Sequence, residues 1–464
     1  MSDLTAELTT LADKLSGSLS TDPDILETFS SDESVYRADG SALALVRAHS
    51  VDDVVATMRF AHEHGIPVVP QGARSGLSGG ACAVDGGILL SVRSMDRILE
   101  VDEENKTCTV EPGIINKDLK DALKKKGLAY PPDPGSYAMC SIGGNIATNA
   151  GGMCCVKYGV TREYVREIKV VLADGTLTRL GHRTVKGVAG LDLTSLFTGS
   201  EGTLGIIVEA TLKLVPLGPD SLSALATFPS VTSAASAVSA YMRTGATPSL
   251  LEMMDGTTVG MVQDMTDFGL EPSVGAVLIM QSDATTASAD AEAFADIAQE
   301  HGAVDVAFAD NPVDSEMLGA ARRSAQTAFE HYAQSHGGGQ MLDDVCVPRD
   351  KLAEFCDGIT RIGEETGIKV AVIAHAGDGN THPSVFFDNE DPESVSAGYD
   401  AFHRIMELGL ELGGTITGEH GVGALKAKWL AKELDEGNRH LHNEIKKAVD
   451  PTGILNPGKM LEHL

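Results

Sequence analysis

Two short segments in the second half of the chain concentrate groups that can hold a cation and move a proton. His375-Ala376-Gly377-Asp378-Gly379-Asn380-Thr381-His382 sets two imidazoles at strand ends across a tight turn, between the apolar run Val370 to Ala374 and a further strand signal at Ser384 to Phe387. Glycine, Asp and Asn tolerate the φ values of such a turn, so both rings can converge on one point. Downstream, Gly413-Gly414-Thr415-Ile416-Thr417-Gly418-Glu419-His420-Gly421-Val422-Gly423 places a carboxylate beside a histidine in a second glycine-rich loop. Two neutral imidazoles and one carboxylate form a divalent-cation set with positions left open for substrate, suited to zinc, manganese or iron. A lone histidine is usually an ordinary hydrogen-bonded residue. Here His375, His382, Glu419 and His420 fall within two loops whose glycine content has no better use. Arg322, in Leu318-Gly319-Ala320-Ala321-Arg322-Arg323, can clamp a carboxylate through its guanidinium fork, although a helical arginine is more often solvated.

Regular elements must deliver these groups. Ser50 and Asp53 resemble a helix-capping box, and Val51, Val54, Val55, Met58 and Ala61 then recur at helical spacing until Gly65. Ile66 to Pro70 reads as a strand, and Gly72-Ala73-Arg74-Ser75-Gly76-Leu77-Ser78-Gly79-Gly80 is too rich in glycine for regular structure. Strand signals at Gly87 to Val92, Ile98 to Val101 and Thr107 to Glu111, with a helix over Asn116 to Lys125, make the first half α+β. Pro216-Leu217-Gly218-Pro219 marks a boundary. Beyond it the order is strand (222–228), helix (231–243), strand (249–254), strand (274–281), helix (288–301) and strand (304–308), the pattern of an antiparallel sheet backed by helices. The spacing of Gly72, Gly76, Gly79 and Gly80 is not the dinucleotide fingerprint of a Rossmann domain, so a nicotinamide cofactor is not indicated. The loop offers instead backbone N–H groups that can approach a diphosphate, with Arg74 and Ser75 at hand.

Two further segments share this character. Pro131-Pro132-Asp133-Pro134-Gly135 leads into Ser141-Ile142-Gly143-Gly144-Asn145-Ile146-Ala147-Thr148-Asn149-Ala150-Gly151-Gly152, small residues, turn formers and amides that can press backbone against a flat ligand. Gly199-Ser200-Glu201-Gly202-Thr203-Leu204-Gly205-Ile206-Ile207 repeats the pattern before a β-branched strand. With Thr184-Val185-Lys186-Gly187-Val188-Ala189-Gly190-Leu191-Asp192-Leu193 between them, these segments resemble the FAD-binding domain of the vanillyl-alcohol-oxidase superfamily, nearest the D-lactate dehydrogenase and glycolate oxidase flavin-subunit group. The likeness runs from about residue 38 to the C-terminus.

That resemblance implies an α+β fold of three parts: an FAD-binding domain of the vanillyl-alcohol-oxidase (PCMH) type over 1–219, with a core of about 38–217; an antiparallel-sheet cap with substrate and metal groups over 220–420; and a helical return over 421–464. It implies that Pro70, Gly72, Ala73, Arg74, Ser75, Gly76 and Leu77 meet the FAD diphosphate and that Pro132, Ser141, Gly144, Asn145 and Thr148 follow the flavin. Glu201, Gly202, Gly205, Ile206 and Ile207 would take the adenosine side, with the chain returning to the flavin at Asn456. No histidine lies between Pro70 and Gly80, so non-covalent FAD is expected. The family pattern assigns His375, His382 and Glu419 to the metal, His420 to proton abstraction and Arg322 to a functional arginine; many relatives carry tryptophan where this chain has Gly319.

The implied reaction is oxidation of a small D-2-hydroxy acid, D-lactate to pyruvate first among them. A hydroxyl held by a cation loses its proton more readily, and hydride can then leave its carbon. Relatives acting on 2-hydroxyglutarate tend to offer an extra basic residue before the stretch Asp344-Val345-Cys346-Val347-Pro348; Gly339-Gln340-Met341-Leu342-Asp343 has none, which favours a monocarboxylate. D-2-hydroxyglutarate or glycolate oxidation is the first alternative. A flavin-free metal-dependent hydrolase and a non-catalytic flavin-binding subunit are the others. A quinone, a cytochrome or an electron-transfer flavoprotein would serve as electron acceptor, and a homodimer is admitted.

Composition narrows the remaining classes. With 66 acidic and 36 basic residues in 464, a formal charge of −30 and no long Lys/Arg block, nucleic-acid binding is not expected. Met1 to Gly17 has no uninterrupted apolar stretch, so a cytoplasmic protein is expected, with a peripheral position at the membrane admitted. Seven scattered cysteines without a C-x-x-C pair read as reduced packing residues.

Overall fold

The computed structural model describes residues 2–37, 40–266, 273–309 and 311–464; residue 38, the expected start of the FAD-domain core, lies outside them. The chain divides into two compact units: Met1–Gly151 with Val160–Leu217 and Glu419–Leu464, and Gly152–Gly159 with Gly218–Gly418.

The first unit holds β1 (Ser18–Ser20), β2 (Ala44–Arg47), β3 (Val68–Gln71), β4 (Ile88–Ser91), β5 (Ile98–Asp102), β6 (Thr107–Val110), β7 (Leu128–Ala129), β8 (Val165–Val171), β9 (Leu177–Gly181), β10 (Ile206–Lys213) and β11 (Val215–Pro216). One sheet runs β1-β2-β4-β3, with β2, β4 and β3 mutually parallel; a second, antiparallel, runs β5-β6-β10-β8-β9. β4 is buried along its whole length, as an interior parallel strand requires, and its Ile-Leu-Leu run meets that demand. The helix Val51–His64 caps as its sequence predicts: Ser50 accepts from Asp53 N, and Gly65 closes the other end in the left-handed region at φ 64. Its Val54, Met58 and Ala61 join Val68, Ile88, Leu90 and Val208 in the core. Leu455 extends the parallel sheet by pairing with Val68, so the C-terminal segment is built into this unit.

The segment 141–149, read from sequence as small residues, turn formers and amides, is regular. It forms a helix, Ile142–Thr148, because Ser141 caps the N-terminus through Gly144 N and Asn149 closes the C-terminus at φ 53. The caps outweigh the poor helix propensity of Gly143 and Gly144.

In the second unit β12 (Leu222–Phe228), β13 (Leu250–Asp255), β14 (Ala276–Ser282), β15 (Asp305–Phe308), β16 (Gly338–Leu342), β17 (Val345–Cys346), β18 (Lys369–His375) and β19 (Asn380–Asp388) form one antiparallel sheet. Its order is β15-β12-β14-β13-β18-β19-β16, with β17 also on β19. The helices Gly256–Met265 and Ala325–Ser335 pack Val259, Val262, Ala328 and Phe329 against Val277, Ile279, Ile373 and Phe386 of the sheet. The chain is thus α+β, with a sheet in each unit's core and helical segments towards its C-terminal end. No helix among the described residues is long and apolar enough to cross a membrane. None of the seven cysteines is joined in a disulfide, and burial pushes the Cys108 thiol up to about 12.

Asp53 ties the N-terminal arm of the first unit to its helix. Its carboxylate accepts from Ser16 N (2.7 Å), Ser16 Oγ (2.8 Å), Gly17 N (3.1 Å) and His49 N (2.8 Å). Burial pushes its pKa up, but the N–H groups of His49 and Ser16 and the hydroxyls of Ser16 and Ser50 outweigh that, holding it below the ordinary value. Asp53→Ala should cost about 3 kcal/mol in a urea melt at neutral pH. Because the folded pKa is depressed, the contribution from ionisation is present above about pH 4 and is lost as pH falls through the lower folded value, so the variant and the parent should converge in stability in acid.

Candidate active site

In the second unit the register of three neighbouring strands assembles a buried polar group. Met253 pairs with Ala374, which sets Glu252 of β13 beside His375 of β18; His375 pairs with Asn380, and Ile373 with His382. Side chains two apart on a strand share a face, so Glu252, His375, Asn380 and His382 point the same way. His382 lies inside β19, two residues past its start, whereas a strand end was expected. The turn between the strands depends on Gly379: at φ +81 it adopts a conformation that suits glycine, and a Cβ there would lie 2.2 Å from Val347 O.

Glu252 links the predicted residues. Its Oε1 lies 2.8 Å from His375 Nδ1 and its Oε2 2.9 Å from Arg322 Nε, so one carboxylate braces both the imidazole and the guanidinium. Glu252 is 1% exposed and Arg322 6%. With Nδ1 donating to the carboxylate, Nε2 is the nitrogen that bears the lone pair in the neutral ring. The His375 and His382 rings meet edge to face with centroids 5.0 Å apart. His382 Nδ1 stands 3.7 Å from Asp344 Oδ1, and Asp344 and His382 offer ligand atoms within 4.8 Å of one another. Thr417 Oγ1 donates to Asp344 Oδ2 at 2.7 Å, and a Cβ on Gly418 would lie 2.3 Å from Asn380 Oδ1. The chain leading to Glu419 is thereby fastened to this group. Glu252 and Asp344 are buried carboxylates in the same group as the guanidinium of Arg322, a donor set with an excess of negative charge that fits a cation.

In the first unit the three glycine-rich segments pack on one another. A Cβ on Gly72 would lie 2.3 Å from Ser141 Oγ, one on Gly143 2.6 Å from Pro112 Cβ, and one on Gly202 2.4 Å from Pro70 Cγ. Only glycine lets the backbones approach this closely. Ala73 N donates to Ser141 Oγ at 3.3 Å. Asn145 Oδ1 accepts from Asn116 Nδ2, whose amide also donates to Pro132 O. Thr148 Oγ1 donates to Gly144 O. The Asn456 amide donates to Gly80 O (3.0 Å) and Glu201 O (2.8 Å), tying the first and third segments together. Gly205 directly precedes β10, which Ile206 and Ile207, both buried, open. A cleft is walled by Gly72, Ala73, Arg74, Arg93, Ile115 and Met139. Its two arginines and glycine-lined edge fit an anionic cofactor.

Two placements differ from the simplest reading of the sequence. Arg74 Nη1 donates to Thr28 O (2.7 Å) and Ser31 O (3.2 Å), and its guanidinium lies over the Phe29 ring at 4.3 Å, so these local groups orient it. Glu201 directs its carboxylate at the backbone of Val422 and Gly423, 2.7 Å from each nitrogen. Glu252, Asp344 and Arg93 were not singled out from sequence. For Glu252 the available signal was a lone acid inside the apolar strand Ser249 to Met254.

A flavin-binding fold is what the family comparisons find. Residues 42–181 match the FAD binding domain model, and residues 219–460 match the FAD linked oxidases, C-terminal domain. The chain belongs to the FAD-linked oxidase family, and is an FAD-dependent oxidoreductase. It is 41% identical to the glycolate oxidase subunit GlcD of Bacillus subtilis (strain 168), covering 90% of this chain and 88% of that one. It is 35% identical to a D-lactate dehydrogenase of Anaerostipes hadrus, covering 94% and 93%. The fold is shared with p-cresol methylhydroxylase (TM-score 0.82, 18% identity, 99% and 97% covered) and with 4-ethylphenol oxidase from Gulosibacter chungangensis (TM-score 0.80, 20% identity, 99% and 97% covered). These matches set aside a flavin-free hydrolase.

Glu252→Ala should be more harmful than Glu252→Gln. The alanine leaves a buried guanidinium without its carboxylate, at a cost of about 3–5 kcal/mol, whereas the amide still accepts from one neighbour. Chemical denaturation of both variants beside the parent measures the difference, and equal stabilities would contradict the bracing role.

Proposed function

We propose that this enzyme oxidises a small D-2-hydroxy acid, with D-lactate the preferred substrate and glycolate the second. The observation that carries the reading is the buried group in which Glu252 holds both His375 and Arg322 beside His382. It unites a carboxylate clamp, two imidazole ligands and an excess of negative charge. The relatives named for glycolate oxidase and D-lactate dehydrogenase support the substrate class; glycolate is kept because the 41% identical relative carries that name. The stretch Gly339 to Asp343 adds no cation for a second substrate carboxylate, which favours a monocarboxylate.

In this reading His375, His382 and Glu419 hold one divalent ion, zinc, manganese or iron, with Asp344 as a further oxygen donor. Glu419 follows Thr417, whose hydroxyl donates to Asp344, and Gly418, which passes close to Asn380. Arg322 binds the substrate carboxylate through its Nη edge, Glu252 lying in ionic contact at its Nε. His420 takes the hydroxyl proton, a task suited to an imidazole near neutral pH. The ion, when bound, supplies Lewis acidity at the hydroxyl, and FAD, when bound, supplies the hydride acceptor. FAD is held without a covalent bond, from Pro70 to Leu77, at Pro132, along Ser141 to Thr148, along Glu201 to Ile207 and at Asn456, with Arg93 adding charge to the cleft. A quinone, a cytochrome or an electron-transfer flavoprotein reoxidises the enzyme.

Anaerobic addition of D-lactate, L-lactate, glycolate and D-2-hydroxyglutarate to the purified yellow protein tests this directly. D-lactate should bleach the flavin fastest and chelation should slow the bleaching; no bleaching by any of them, or bleaching by L-lactate alone, would refute the reading. His420→Ala should reduce the flavin at least about 100-fold more slowly with FAD still bound. Arg322→Lys should chiefly weaken substrate binding, read as a raised Kd for D-lactate, because an ammonium cannot form the paired contacts of a guanidinium.

A further inference from the structure

Glu201 is engaged in a way that contact with a cofactor does not require. Its backbone adopts φ 51, an uncommon conformation for a residue with a Cβ, followed by Gly202 at φ 74. The buried carboxylate then spans two successive amides: Oε1 accepts from Val422 N and Oε2 from Gly423 N, both at 2.7 Å. Ser78 holds the same loop from another side. Its Oγ donates to the His420 carbonyl at 3.4 Å, and its own carbonyl accepts from Leu425 N at 3.0 Å. A Cβ on Gly423 (φ +52) would lie 2.1 Å from Ser78 O, and one on Gly421 (φ +88) 3.0 Å from Glu201 Oε1. The loop that follows His420 is thus gripped through main-chain atoms on both sides, all within the first unit.

We propose that Glu201, with Ser78, is a positioning residue that fixes the loop carrying His420 and so aims its imidazole. The inference rests on the reading of His420 as the base. An ionised carboxylate is an acceptor at both oxygens and matches two parallel N–H donors; a neutral amide matches one and opposes the other. The groups facing Glu201 work against each other: burial raises its pKa, the Val422 and Gly423 amides lower it, Asp32 raises it and the Lys459 ammonium lowers it, leaving it at about 7.

The test uses full-length enzyme carrying FAD, with D-lactate as the probe, under anaerobic rapid mixing. Glu201→Gln should lower the rate constant for flavin reduction about 10- to 100-fold, as a misaimed base would. D-lactate Kd should stay within about twofold and the flavin-to-protein absorbance ratio should match the parent. Gly423→Ala, which displaces the loop while leaving Glu201 intact, should give the same split, and it decides the matter if Glu201→Gln fails to fold. A parental reduction rate in a folded variant overturns the proposal. So does a loss of flavin that accounts for the lost activity, since Glu201 would then act through the cofactor alone and not through the loop. If His420→Ala itself reduces at the parental rate, the assignment of the base fails instead, which this comparison reads separately.

Discussion

A carboxylate buried in the middle of a sheet is expensive unless it is paired, and Glu252 is paired twice. Its burial at 1% exposure is tolerable because Arg322 reaches one oxygen and His375 the other. That pairing imposes conditions on the rest of the second unit. β13 must lie beside β18 in the register that sets Glu252 against His375, and the helix Pro312–Arg323 must bring its last turn to the same point. The hairpin of β18 and β19 must then turn tightly enough to put His382 on the same face, which Gly379 permits. Slipping one strand by a residue would turn its polar side chain to the opposite face and strand the others in an apolar interior. The candidate site residues and the residues that hold the register are therefore the same groups.

The first unit solves a different problem. Its three glycine-rich segments carry many backbone N–H and C=O groups in irregular structure, and each must find a partner. They find one another and a few well-placed side chains: Ser141 takes two amides, Asn456 gives to two carbonyls, and Glu201 takes two amides of the C-terminal loop. The close contacts at Gly72, Gly143, Gly202 and Gly423 show why side chains are excluded there. Crowded backbone satisfied internally is rigid, and rigidity lets a cleft keep its shape for a large cofactor.

What could be read from sequence follows from range. Local signals were legible: Ser50 and Gly65 bound the helix Val51–His64, and the helix Val231–Arg243 and the strand Leu222–Phe228 fall where periodicity puts them. His375 and His382 declared themselves because the turn residues between them are a short-range pattern. Glu252 did not, since its meaning depends on a strand pairing across 123 positions and on an arginine from a separate helix. Arg74 shows the converse. Its type and its glycine-rich neighbours suggest an anion, but at φ 60 its side chain reaches the carbonyls of Thr28 and Ser31, a local competition that residue type alone does not reveal. In Ile142–Thr148 the two glycines pointed away from a helix, and the caps at both ends decided otherwise.

Charge separates the long-range from the short-range part of recognition. The chain carries a formal charge of −30, so its distant field opposes the approach of any anion, hydroxy acids included. At physiological ionic strength that field decays over about 8 Å, so the opposition is weak except near the surface. Selection of an anionic substrate has to come from charges that solvent screens poorly, and among the described residues the buried Arg322 is such a charge. Its partner Glu252 would cancel it were the carboxylate not also committed to His375. Sharing one carboxylate between a guanidinium and an imidazole leaves the Arg322 charge only partly neutralised. A carboxylate devoted to Arg322 alone would neutralise the arginine more fully; the shared arrangement keeps the guanidinium buried without cancelling its charge.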